Sequence, residues 1–176
     1  MPRNIHRSLI YACALGDFIP VLFDLPYQPE LGHSLPPDKE WMGKVLKKIR
    51  EKGIKISAAV LVNPTYHGYS SDITDLVHIL HKFDLPVLVD EAHGAHFAID
   101  IGNALPTSAI TAGADLVVHS LHKSSIGLTQ TAVLWSQGTI IDPILVKRNI
   151  GSLQTSSPSA LLLASCETAL REWVGS

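Results

Sequence analysis

Three stretches of the chain are apolar almost from end to end: ISAAVLVN (56–63), LPVLVD (85–90) and ADLVVHS (114–120). A strand with one face in water alternates apolar and polar residues. A strand buried on both faces does not, and such strands belong to parallel sheets covered by helices. Between the first two runs, Asp72 to Phe83 places Ile73, Leu76, Val77 and Leu80 at helical spacing. Strands alternating with helices imply right-handed crossovers and a mostly parallel sheet. The expected fold class is therefore α/β, with three layers (α/β/α).

Residues 5–15 read as a helix that Asn4 caps, and IPVLFDL (19–25) reads as a short strand. Prolines at 26, 29, 36 and 37 make 26–37 a loop. Asp38 caps a helix to about Lys52, with Trp41, Val45, Leu46 and Ile49 on one face. A short helical piece is expected near 106–112, a strand at 131–136, and a helix from Ser157 to Trp173 with Pro158 in its first turn. Only residues 121–130 join the strands 114–120 and 131–136. That is short for a crossover, so this pair is expected to be antiparallel.

Composition narrows the partners. With 46% hydrophobic and 17% charged residues and a net charge of -2, nothing asks for nucleic acid or an anionic membrane. No apolar run approaches the ~18 residues of a membrane span. Two cysteines make no disulfide framework, and the expected location is the cytoplasm. Cys13 and Cys166 are expected to be buried core residues, and Trp41 and Trp135 to be plain packing.

Ligands of open α/β sheets bind beyond the carboxyl ends of the strands. Three polar clusters fall there: Pro64-Thr65-Tyr66-His67-Gly68, Asp90-Glu91-Ala92-His93-Gly94-Ala95-His96, and His119-Ser120-Leu121-His122-Lys123. An Asp at a strand end is a turn cap or a carboxylate held for a cation. A lone Lys is normally a solvated surface charge. Placed at this edge among Ser120, His122, Ser124 and Ser125, Lys123 becomes a candidate Schiff-base amine. A strand-end Asp90 with a downstream Lys123 matches the protein's part in pyridoxal-phosphate chemistry, with Lys carrying the cofactor and Asp pairing the pyridinium nitrogen. Asp90-Glu91-Ala92-His93 also spells a helicase signature, but no GxxxxGK[ST] phosphate loop precedes it. Asp90, His93 and His96 are weak as metal ligands, since no HExxH or Cys pair supports them, and no metal is assigned.

The chain resembles the major domain of the ornithine/lysine/arginine decarboxylases, of the aspartate-aminotransferase-like pyridoxal-phosphate fold. The likeness rests on Arg3-Asn4-Ile5-His6-Arg7-Ser8, on Asn63-Pro64-Thr65-Tyr66-His67-Gly68, on VDEAHGAHF ending at Phe97, on GADLVVHSLHK with LTQTA after it, and on Gln154-Thr155-Ser156-Ser157-Pro158-Ser159 with LLLAS. It implies pyridoxal 5'-phosphate on Lys123, a ring nitrogen held by Asp90, His6 stacked on the ring, and Ser120 and His122 on the phosphate. It implies His93 near the ring oxygen or the substrate, where other branches carry Trp. It also implies at least a homodimer, with Thr155 reaching the neighbour's cofactor phosphate. The HGxH form after Asp90 is more like the smaller, arginine-type branch. Residues 1–176 are expected to be a partial major domain, without the family's Gly/Ser/Thr-rich phosphate segment and without its small C-terminal domain. The expected activity is decarboxylation of a basic amino acid, arginine first, then lysine or ornithine. An inactive relative serving as a binding module, or another reaction such as transamination, stays open.

Overall fold

The computed structural model describes residues 1–99 and 104–174, apart from the side chain of Val174. Part of the expected loop after Asp90, residues 100–103, lies outside the described residues. The core is a four-stranded sheet in the order β3-β4-β5-β6, with β3 at Ala59–Val62, β4 at Val87–Asp90, β5 at Leu116–Ser120 and β6 at Ala132–Ser136. β3, β4 and β5 are parallel, with Leu61 beside Val89 and Val89 beside Val117. β6 runs antiparallel to β5, placing Trp135 opposite Val117 and Ala132 opposite Ser120. The short connection therefore makes the expected antiparallel pair.

Side chains alternate across a strand, so this register sorts the sheet into two faces. Leu61, Val87, Val89 and Val117 lie on one face and are nearly inaccessible. Helices α2 (Lys39–Glu51) and α3 (Ile73–His81) cover them with Met42, Leu46, Ile73, Leu76, Val77 and Leu80. Asp38 caps α2 as read, accepting from Trp41 N–H at 2.7 Å, and Asp72 caps α3 in the same way, accepting from Asp75 N–H at 3.2 Å. Such a cap contributes about 1 kcal/mol. The other face carries Val60, Leu88, Leu116 and Val118, all half-buried. On this side, Leu9, Ala12 and Cys13 of α1 (Arg7–Leu15) line a cavity of about 570 Å³ with Val60 and Leu88, to which Met42 and Leu46 of α2 also contribute. The fold is α/β, a mostly parallel sheet with α2 and α3 packed on its main-core face.

Several expected elements differ. Residues 19–25 make no strand. A strand needs a ladder, and only Met1–Arg3 runs beside this segment, giving the single bridge Pro2–Phe23. The loop 26–37 contains a small hairpin, β1 (Tyr27–Gln28) and β2 (His33–Ser34), turned by Gly32 at φ +70. α1 is capped by His6, not Asn4. Residues 109–113 form turns rather than a helix, closed by Gly113 at φ +85. A short turn of helix, α4 (Leu121–Ser124), follows β5 directly. Helix α5 (Pro143–Leu153), capped by Asp142 with proline in its first turn, was not apparent in the sequence. α6 spans Ala160–Val174, so Pro158 precedes it. Cys13 is buried as expected, whereas Cys166 is half-buried. Among the described residues no helix is long and apolar enough to cross a membrane.

Candidate active site

The parallel register brings the ends of β3, β4 and β5 to one edge. Asp90 ends β4, and β5 runs through Ser120 straight into α4, which carries His122 and Lys123. By parity Asp90 and Ser120 point to the face opposite the main core. Asp90 Oδ1 accepts from Ala92 N–H at 3.2 Å, and among the described residues Oδ2 has no bond. Lys123 is exposed, and its Nζ lies 3.2 Å from His93 Nε2. An ammonium has only protons to offer, so His93 Nε2 accepts and the ring is neutral with its proton on Nδ1. The pKa of His93 is lowered by burial first, then by Lys123, with Asp90 opposing and His6 adding to the drop. His6, Asp90, His93 and Lys123 thus share one electrostatic neighbourhood.

Tyr66, on the loop after β3, sets its ring edge-on to His93 with centroids 4.9 Å apart. Its hydroxyl pKa is raised by burial and by the charge of Asp90. The expected site did not include Tyr66, although it sits inside the NPTYHG segment. An aromatic at a parallel strand's carboxyl end was the available signal. Asn63 holds this loop, its Oδ1 accepting from Ser71 N–H at 2.9 Å. Gly94, directly after His93, admits no side chain. A Cβ there would lie 2.7 Å from Glu91 Cγ and 2.8 Å from Pro64 Cδ.

His122 donates from Nδ1 to the Thr131 carbonyl at 2.8 Å. It can therefore offer a second proton to an anion from Nε2 only as the imidazolium. Ser120 is buried at the start of α4. His6 Nδ1 is 2.8 Å from Ser8 Oγ and also accepts from Ser8 N–H at 3.3 Å. Thr155 is not drawn into the cluster: it is exposed between α5 and α6, its Oγ1 accepting from Ser157 N–H at 3.2 Å. His93 and His96 diverge, since His96 packs on Phe97 and feels the charges of Glu91 and His119.

Behind the edge, on the main-core face, lies a buried pair absent from the expected site: Glu91 and His119, with Oε2 2.8 Å from Nε2. Trp135 is more than packing, because its indole N–H donates to His119 Nδ1 at 3.0 Å. Parity was the signal. Glu91 and His119 continue the inward positions of Val89 and Val117, where a polar side chain must find a partner.

The donor set fits pyridoxal phosphate. There is an amine beside an imidazole, a carboxylate on the neighbouring strand end with one oxygen unbonded among the described residues, and hydroxyls and an imidazole for a phosphate. Ser124, beside Lys123, has a buried hydroxyl with no partner among the described residues.

Comparison with known proteins points the same way. A family model described as "Orn/Lys/Arg decarboxylase, major domain" matches residues 1–175. An arginine decarboxylase of Bacillus cereus is 35% identical over 171 residues, covering 96% of this chain and 35% of that protein. One from Halalkalibacterium halodurans is 38% identical over 170 residues, covering 96% and 33%. The chain thus spans about a third of the length of these relatives. Among solved structures, the constitutive lysine decarboxylase of E. coli superposes with a TM-score of 0.70 at 25% identity, covering 96% of this chain and 24% of that one.

Proposed function

The chain belongs to the Orn/Lys/Arg decarboxylase family, matching its major domain, and from that premise we propose that its site takes pyridoxal 5'-phosphate on Lys123 and removes the α-carboxylate of a basic amino acid as CO2. Arginine is the first choice, since the relatives at 35% and 38% identity are named arginine decarboxylases. Lysine and ornithine come next. The observation that carries this reading is the contact of Lys123 Nζ with a neutral His93, 3.2 Å away, at the strand edge that also holds Asp90.

When bound, the protonated pyridine ring accepts the electron pair released as the bond from Cα to the carboxylate breaks. The chain's own groups make that possible. Asp90, whose Oδ2 has no bond among the described residues, would pair with the ring nitrogen and keep it protonated. His93, neutral at Nε2, accepts a proton from Lys123 and so exposes the amine lone pair that the aldehyde requires. His6 stacks on the ring, and Ser120 and His122 hold the phosphate. Tyr66 sets its ring edge-on to His93 and helps to hold that imidazole toward Lys123. A cytoplasmic homodimer goes with this reading, Thr155 serving the partner's site.

The test is spectroscopic and chemical. Wild-type protein mixed with pyridoxal phosphate is expected to absorb in the visible imine band, and Lys123→Ala to lose that band. Identical spectra would favour the inactive binding module. CO2 release from arginine, lysine and ornithine, measured against keto-acid formation, separates decarboxylation from transamination.

A further inference from the structure

Glu91 and His119 are both wholly inaccessible to solvent, 0% and 0%. Glu91 Oε1 accepts from Ala109 N–H at 2.9 Å, and Oε2 lies 2.8 Å from His119 Nε2. On the far side of the ring, Trp135 Nε1 lies 3.0 Å from His119 Nδ1. An indole nitrogen only donates. His119 Nδ1 therefore carries a lone pair, the ring proton sits on Nε2, and Nε2 donates to the carboxylate. Protonating the ring would set two N–H groups against each other at Nδ1. Other groups face the pair as well. Trp173 of α6 lies edge-on to His119 with centroids 5.7 Å apart. His96 of the 3-10 turn Ala95–Ala98 has its pKa lowered by burial first, with the nearby Glu91 opposing, and its own Nδ1 is buried without a partner among the described residues.

We infer that Glu91, His119 and Trp135 form one buried network locked in a single ring tautomer of His119, and that they are positioning residues for the site in front of them. The geometry gives the reason. Glu91 follows Asp90 in the chain, and its N–H donates to the Val118 carbonyl at 3.0 Å. His119 precedes Ser120, which leads into His122 and Lys123. The network ties together the ends of β4, β5 and β6 and the Ala109 turn. It fixes the spacing between the carboxylate and the amine without touching either. The positioning role rests on the proposed function; the locked state does not.

Two measurements test this. In the first, ring-nitrogen NMR of the wild-type chain without cofactor is expected to show the His119 ring proton on Nε2 and a bare Nδ1. A proton on Nδ1 would overturn the locked state. In the second, Glu91→Gln presents an amide N–H to the Nε2–H and leaves one buried donor unmatched. Pyridoxal phosphate binding is expected to weaken roughly tenfold. Trp135→Phe, which removes the bond at Nδ1 and leaves the Glu91–His119 bond in place, is expected to weaken binding less. A merely structural role predicts a lower melting point with the affinity of the folded chain unchanged. Unchanged affinity in folded Glu91→Gln, or a larger loss in Trp135→Phe, would overturn the positioning role. If the wild type shows no imine band, the proposed function falls and the positioning role with it, while the NMR result still decides the locked state.

Discussion

His93 is where chemistry and protein stability meet. Its pKa lies below the ordinary 6.5, through burial first and the Lys123 charge second. The folded chain then binds fewer protons here than the unfolded chain as pH falls past 6.5. Stability contributed at this residue is present above that point and declines as the pH drops through the folded value. The expected NMR midpoint of His93 is therefore below 6.5. In Lys123→Ala it is expected to rise yet stay below 6.5, because burial remains. A midpoint unmoved by that substitution would separate the two residues. Gly94 sets the position of the ring. Alanine there would press on Glu91, Pro64 and Phe97 at 2.7 to 2.9 Å. Gly94→Ala is expected to cost about 1–3 kcal/mol in denaturant melts and to shift the His93 resonances.

Between elements, the sheet is pinned at its amino end by one carboxylate. Asp115, with a side chain 4% exposed, accepts at Oδ2 from Val87 N–H at 2.7 Å and from His81 at 2.9 Å. It joins the starts of β4 and β5 to the last turn of α3. Asp115→Ala strands the Val87 N–H in the core and is expected to cost about 2–4 kcal/mol by chemical denaturation. A loss under about 0.5 kcal/mol would mean that water replaces the carboxylate. This tie was not legible in advance, because the partners of Asp115 lie 28 and 34 positions before it in the chain. What was legible is local: Asp38 as a cap, the apolar runs of β3, β4 and β5, and the short link that forces β6 antiparallel. Asp90, His93 and Lys123 were legible too, since strand ends of a parallel sheet converge on one edge. Residues 19–25 misled because strand propensity does not supply a ladder partner, and α5 was missed because none of its residues is buried. Glu91, His119 and Trp135 show the same divide. Their parity could be read from the chain, but their mutual bonds depend on the register between strands.

At the scale of the whole molecule, α5 and α6 present apolar side chains to solvent: Ile144 is 74% exposed, Leu153 80% and Leu161 69%. Single apolar residues are normal on a surface, but large ones exposed on two consecutive helices offer apolar area that a partner would cover. Thr155 sits between Leu153 and Leu161 in the chain. In the proposed homodimer, the surface that carries Thr155 toward a partner's site is the same surface that needs covering. Exposed leucines contribute little to the fold of one chain, and burying each against a partner is worth about 1.5–3 kcal/mol. Replacing Leu153 and Leu161 together with aspartate should therefore leave the melting of the dilute chain nearly unchanged while weakening self-association at least about tenfold. Sedimentation over a range of concentrations measures this. Thr155→Ala separates the two uses of the segment: association is expected to stay as in the wild type while pyridoxal phosphate is held less tightly. A double leucine variant that associates like the wild type would place the dimer contact elsewhere, and Thr155 would then have no route to a second site.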